Sequence, residues 1–232
     1  MEITWPRAIL LDFYGTVVEE DDATIAAICE EIAAAASARV APQQVASFWS
    51  GRFADLCYDA HGRRFRPQKD LELRSLRETL KQFDARLDAQ LLSQRLYDYW
   101  RQPKLLPEVR GVLARVRVPI CLVSNIDDAE LDAALAHCSL TFNHVVTSER
   151  CRAYKPHPAP FERALGLLRL SPREVLSVGD SWRSDVRGAK TLGIAALWVN
   201  RQGRILLAEE EQPDFMAADL RGILVVGHPQ VR

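Results

Sequence analysis

The stretch Ala8-Ile-Leu-Leu11-Asp12-Phe-Tyr14-Gly15-Thr16 decides the fold. Its apolar run ends on a carboxylate and reads as a buried strand with polar residues at its carboxyl end, where Gly15 permits a sharp turn. The chain then changes character. From about Asp21 to Trp100 it is rich in Ala, Leu, Arg, Glu and Gln, with apolar residues at helical spacing. Ile25, Ile28, Cys29 and Ile32 form one stripe; Leu73, Leu76, Leu80 and Phe83 form another. The pattern predicts about four helices and no strand. Pro103 and Pro107 punctuate its end.

Strands and helices alternate after that. Val118 to Val123 reads as a strand ending at Ser124-Asn125, and Asp128 to Cys138 as a helix. Phe142 to Thr147 is a strand candidate, and Pro158 to Leu168 a helix with a proline-rich start. Val175 to Val178 is a strand ending at Gly179-Asp180, followed by a helix over Val186 to Leu192 and a strand over Ile194 to Val199. Leu220 and the apolar run Ile223 to Val226 close the core. This order predicts an α/β fold: a Rossmann-like parallel sheet flanked by helices. The core comprises residues 1–17 and 105–232, with an all-helical cap inserted over 18–104. Reactive groups in such sheets gather beyond the carboxyl ends of the strands, where Asp12, Ser124 and Asp180 fall. The junctions near Val17 and Leu106 are the expected hinges.

The chain has 232 residues, which suits one large domain or a core with a small satellite. Its 48% hydrophobic and 26% charged content is enough to bury a core. A net charge of -1 offers no global field for nucleic acid or an anionic membrane, so neither is expected as a partner. Function must lie in a local site. The five cysteines are odd in number and lack a Cys-x-x-Cys pair, which predicts reduced thiols in a cytoplasmic setting. No signal peptide is read at the start, and no apolar run approaches the roughly 20 residues that span a bilayer. The basic run of His61, Arg63, Arg64, Arg66 and Lys69 reads as a solvated loop between helices, with no RNA-binding motif beside it.

Four separated segments form a pattern: Asp12-Phe-Tyr-Gly-Thr16, Val123-Ser124-Asn125, Tyr154-Lys155-Pro156, and Gly179-Asp180-Ser-Trp-Arg-Ser-Asp185. In this order the chain resembles the haloacid dehalogenase-like superfamily. The resemblance spans nearly the whole length, including the helical insertion and the segments Trp198-Val-Asn-Arg201 and Pro213-Asp-Phe215. It implies a hydrolase with Asp12 as covalent nucleophile, acting on a small anionic substrate. It implies a magnesium ion held by Asp12, Asp180 and the Tyr14 carbonyl, with Asp185 binding directly or through a water. By the same resemblance Lys155 neutralises charge between nucleophile and substrate. Thr16, Ser124 and Asn125, with nearby backbone amides, would hold phosphate oxygens.

The pattern departs at Tyr14. Phosphatases of the superfamily read Asp-x-Asp there, and the second Asp protonates the leaving group and then activates water. Losing such a group costs about 10²–10⁴-fold in rate. A phenol of pKa about 10 donates a proton but is a poor base at neutrality. Asp-x-Tyr-Gly-Thr is instead similar to the first motif of 2-haloacid dehalogenases, which need no metal and whose departing halide needs no proton. Those enzymes carry Ser and Asn where this chain has Asp180 and Trp182, and use a cap arginine to accept halide. Here Ser50 follows Phe48-Trp49, leaving Arg39 and Arg52 as approximate candidates. Phosphonoacetaldehyde hydrolases also lack the second Asp but need a cap lysine, and this insertion offers only Lys69, Lys81 and Lys104.

The fourth segment is the more specific string. It weights the reading toward a magnesium-dependent phosphatase or phosphotransferase working on a small phosphorylated metabolite, with Tyr14 or a cap residue as acid. The alternatives are a metal-independent 2-haloacid dehalogenase and a catalytically weakened phosphate-ligand-binding protein.

Overall fold

The computed structural model describes residues 5–207 and 209–226. The outer ends of the expected core span, 1–4 and 227–232, and residue 208 lie outside the described residues. The strands are β1 (Ala8–Leu11), β2 (Ile120–Ser124), β3 (His144–Thr147), β4 (Val175–Gly179), β5 (Ala195–Val199) and β6 (Phe215–Ala217). They form one six-stranded sheet in the order β3-β2-β1-β4-β5-β6, and every pairing is parallel. The α/β, Rossmann-like class expected from the alternation is the one observed.

All four residues of β1 are buried, because helices cover both faces of the sheet. Ala8 and Leu10 pack with Phe161 and Ala164 on one face; Ile9 and Leu11 pack with Val112, Leu131 and Ala134 on the other. A strand covered on both sides reads as a continuous apolar run.

Four helices make up the insertion after β1: α1 (Asp22–Ala35), α2 (Pro42–Asp59), α3 (Gln68–Gln82) and α4 (Ala89–Arg101). The predicted stripes are their buried faces, with Ile28, Cys29 and Ile32 enclosed on α1 and Leu76 and Leu80 on α3. The two linkers run side by side: the Glu19 amide donates to the Lys104 carbonyl at 2.8 Å, and the Leu106 amide to the Val17 carbonyl at 3.2 Å. The insertion therefore leaves and rejoins the sheet at one place. Arg63, Arg64 and Arg66 of the basic run are exposed.

The remaining helices are α5 (Val109–Leu113), α6 (Asp128–Cys138), α7 (Ser148–Cys151), α8 (Pro158–Leu168) and α9 (Gly188–Lys190). Three local expectations need correction. β2 starts two residues later than Val118, since Pro119 has no amide hydrogen for the ladder. The helix expected over Val186 to Leu192 is a π-turn, Trp182–Arg187, running into the short α9. β6 was not expected, because three residues at a sheet edge carry too little periodicity to read. No helix among the described residues is long and apolar enough to cross a membrane.

Candidate active site

Asp12 directly follows β1, Ser124 ends β2, and Asp180 follows β4, so three neighbouring strands deliver them to one edge. Gly15 turns the chain there at φ +80°, and a side chain at this position would meet the Asp180 carboxylate at 2.5 Å. Gly179 is equally constrained: a Cβ there would lie 2.2 Å from the Asp185 carboxylate. The π-turn returns Asp185 toward the strand end, where its carboxylate accepts from the Ser181 amide at 3.0 Å. Carboxylate oxygens of Asp12, Asp180 and Asp185 all lie within 4.8 Å of one another.

Lys155 is enclosed among them. Its Nζ donates to Asp12 Oδ1 at 2.8 Å, Asp185 Oδ1 at 2.5 Å and the Val123 carbonyl at 2.7 Å. Burial lowers its pKa, but the charges of Asp12 and Asp185 outweigh that and raise it. Two of the three carboxylates thus share one ammonium, and Asp180 has no cation of its own among the described residues. Asp180 is raised by burial and by the charges of Asp12 and Asp185, against a lowering hydrogen bond from Thr16. Asp185 is raised by burial and by Asp12, although Lys155 pulls it down.

The polar residues around this cluster divide their work. Thr16 Oγ1 accepts from the Asp180 amide at 3.0 Å and lies 3.1 Å from Asp12 Oδ2 and 3.2 Å from Asp180 Oδ1. Its single proton serves one of the two carboxylates at a time, so the hydroxyl brackets them. The Asn125 side-chain amide donates to the Lys155 carbonyl at 3.0 Å and accepts from the Lys155 amide at 2.7 Å, fixing that loop. Ser124 lines the cavity, and its hydroxyl has no hydrogen-bond partner among the described residues. Tyr14 also lines it, but its hydroxyl donates to the Trp100 carbonyl at 2.5 Å. Burial, then the charge of Asp21, holds that phenol well above its ordinary pKa.

These residues floor a cavity of about 320 Å³ roofed by the helical insertion. The roof brings residues that sequence reasoning missed: Glu20 and Asp21 before α1, and Gln68 and Glu72 on α3. The acidic run Glu19-Glu20-Asp21-Asp22 was the available signal for the first pair. Glu20 is exposed to the cavity. Partial desolvation, then the charges of Asp180, Asp21 and Asp12, raise its pKa well above the usual carboxylate range, with cavity water screening part of the rise. No arginine among the described residues lines the cavity. Arg39 is exposed, and Arg52 is paired with Glu78 at 2.6 Å and Asp55 at 3.4 Å. All five cysteines are free thiols.

Known proteins resemble this chain in sequence and in fold. A family model described as haloacid dehalogenase-like hydrolase matches residues 6–193. Haloacetate dehalogenase H-2 of Moraxella sp. is 30% identical over 129 residues, 53% of this chain and 57% of that protein. A phosphoserine phosphatase of Thermus thermophilus is 32% identical over 145 residues, 59% of this chain and 57% of that protein. The chain thus spans less than two thirds of each of these two relatives. Among solved structures, an L-2-haloacid dehalogenase superimposes with a TM-score of 0.78 at 24% identity, over 94% of this chain and 96% of that one, a likeness of fold.

Proposed function

The chain belongs to the haloacid dehalogenase-like hydrolases, and from that premise we propose that it is a magnesium-dependent phosphatase or phosphotransferase acting on a small phosphorylated metabolite. The observation that carries this reading is the cluster of Asp12, Asp180 and Asp185, three carboxylates of which only Asp12 and Asp185 are paired with the Lys155 ammonium. Hard oxygen donors packed so closely fit a hard divalent cation, and without one they repel each other. Asp12, Asp180, Asp185 and the Tyr14 carbonyl are the residues that would hold it. When bound, the ion supplies positive charge that offsets repulsion between nucleophile and phosphoryl oxygens.

The rest is work for the chain's own groups. An Asp12 oxygen attacks phosphorus as the bond to the leaving oxygen breaks, giving an aspartyl-phosphate and a free alcohol or acid. Lys155 holds Asp12 in place and compensates its charge. The Ser124 hydroxyl is free to donate to a phosphoryl oxygen, while Thr16 and Asn125 position Asp12, Asp180 and Lys155. Glu20 replaces the missing Asp as the acid for the leaving oxygen, since the Tyr14 hydroxyl is engaged in donating a hydrogen bond to the Trp100 carbonyl. Water, or a second acceptor in a phosphotransferase, then takes the phosphoryl group from Asp12.

The dehalogenase reading draws on Tyr14 and on relatives of that kind. Against it stand a cavity wall without arginine and a metal-type carboxylate cluster with no role in halide displacement. The test is turnover of p-nitrophenyl phosphate and acetyl phosphate, with magnesium and with EDTA, beside Asp12→Asn. The expected result is turnover that needs both magnesium and Asp12. Chloride release from 2-chloropropionate in EDTA, without phosphate turnover, would replace this reading with the dehalogenase. Tight binding of phosphate esters without any turnover would favour the binding protein.

A further inference from the structure

The cavity has a second end that the phosphoryl chemistry leaves unused. It is built from Glu72 and Gln68 of α3, Trp49 of α2, and Leu96 and Trp100 of α4. Glu72 is 3% exposed and Gln68 9%. Three buried polar atoms of this wall have no hydrogen-bond partner among the described residues, both carboxylate oxygens of Glu72 and Oε1 of Gln68, and Oγ of Ser93, which does not line the cavity, has none either. Ser93 and Tyr97 stand beside the Glu72 carboxyl and draw its pKa down. Yet Tyr97 gives its proton to the Lys69 carbonyl at 2.9 Å, and none of these groups meets Glu72 in bonding geometry.

Buried polar groups in folded proteins are nearly always hydrogen-bonded, and leaving one bare costs about 1–3 kcal/mol, more for a charge. Orphans concentrated at one cavity wall therefore point to an outside partner. Its chemistry follows from theirs. Three of the four atoms are acceptors only when Glu72 is ionised. Among the described residues no cation is placed to answer them: the Lys69 ammonium is paired with Glu130 at 2.9 Å, and no arginine lines the cavity. The indole N–H groups are also spoken for, Trp49 donating to Ser75 Oγ at 3.0 Å and Trp100 to Asp21 Oδ2 at 2.8 Å. What the two rings offer the cavity is apolar and π surface, which suits a cation with short methylene arms.

We propose that this end receives a protonated amine on the leaving portion of the substrate, held by the Glu72 carboxylate and the Gln68 side-chain carbonyl. The substrate class is then an amine-bearing phosphate ester, with phosphate at Asp12 and ammonium at Glu72. This rests on the phosphatase reading above. Burial raises Glu72 to about 7, against the lowering influence of Ser93 and Tyr97. Such a carboxyl is partly neutral in the empty cavity, and an arriving ammonium would fix its charge.

The experiment measures binding, by calorimetry, of a homologous series of ω-aminoalkylphosphonates and of methyl-terminated alkylphosphonates of equal length. It uses the full chain with and without magnesium. The expected result is that the best-fitting amine binds about tenfold to hundredfold tighter than its isostere. Glu72→Gln, checked for a cooperative melt, should bring that ratio toward unity. The wild-type ratio alone is decisive should the variant fail to fold. Equal or weaker binding of every amine, no binding of any, or a preference that survives Glu72→Gln overturns the proposal. Turnover of p-nitrophenyl phosphate without amine preference removes this inference and leaves the phosphatase reading. Amine preference without phosphate turnover does the reverse.

Discussion

At Lys155 a single side chain meets two carboxylates and a carbonyl while only 5% exposed. A buried ammonium is tolerable only with such partners, because desolvating it alone costs several kcal/mol. Tyr14 shows the opposite case, a polar group whose partner turns it away from chemistry. Its neighbour in the cavity, Glu20, is the group that can carry a proton to the leaving oxygen. Glu20→Gln is expected to slow alkyl phosphate hydrolysis about 10²-fold. Acetyl phosphate, whose leaving group is a weak base, should lose far less. Steady-state rates on both substrates check this, and equal slowing of the two would remove Glu20 from the role.

Among elements, α3 carries the roof of the cavity, and its first turn is held from outside. The Asp127 carboxylate accepts from the amides of Gln68 at 2.7 Å and Lys69 at 3.1 Å. Asp127 occupies the N-cap position of its own helix, α6, yet its side chain makes no capping bond there. Free amides at a helix start seek an acceptor wherever one is available, and here it comes from the strand-end loop after β2. The Tyr154 hydroxyl reinforces the join by donating to the Arg66 carbonyl at 2.8 Å. Asp127→Ala should cost about 1 kcal/mol, as lost helix caps do. Hydrogen exchange is the measurement: amides of Gln68 to Asp70 should exchange faster while those of β1 and β4 keep their protection. Uniform loss across both would mean that Asp127 supports the whole fold and not this junction.

For the whole molecule, the crowded carboxylates set a balance between site and stability. Asp180 and Asp185 have raised pKa values, so the metal-free folded state is favoured below the ordinary carboxylate pKa and loses that advantage as pH rises through the raised values. Asp180→Asn removes one of the repelling charges. In EDTA near neutral pH it is expected to melt above the wild type. Magnesium at about a hundred times its Kd should stabilise the wild type by about 2.7 kcal/mol and the variant much less. Scanning fluorimetry reads both shifts, and equal magnesium stabilisation of the two would argue against Asp180 as a ligand. The sequence by itself determined the parallel sheet apart from its edge strand β6, the helical insertion and the strand-end residues Asp12, Ser124 and Asp180, because apolar periodicity and the glycines of sharp turns are local signals. Only the tertiary structure decided that Thr16 and Asn125 brace other residues, that Tyr14 turns to Trp100, and that Glu20 and Glu72 face a cavity. Glu72 sits among Lys69, Asp70 and Arg74 and looks like any polar helix position. Whether such a side chain meets water or a buried wall depends on where its helix is docked, which its own neighbours in sequence do not encode.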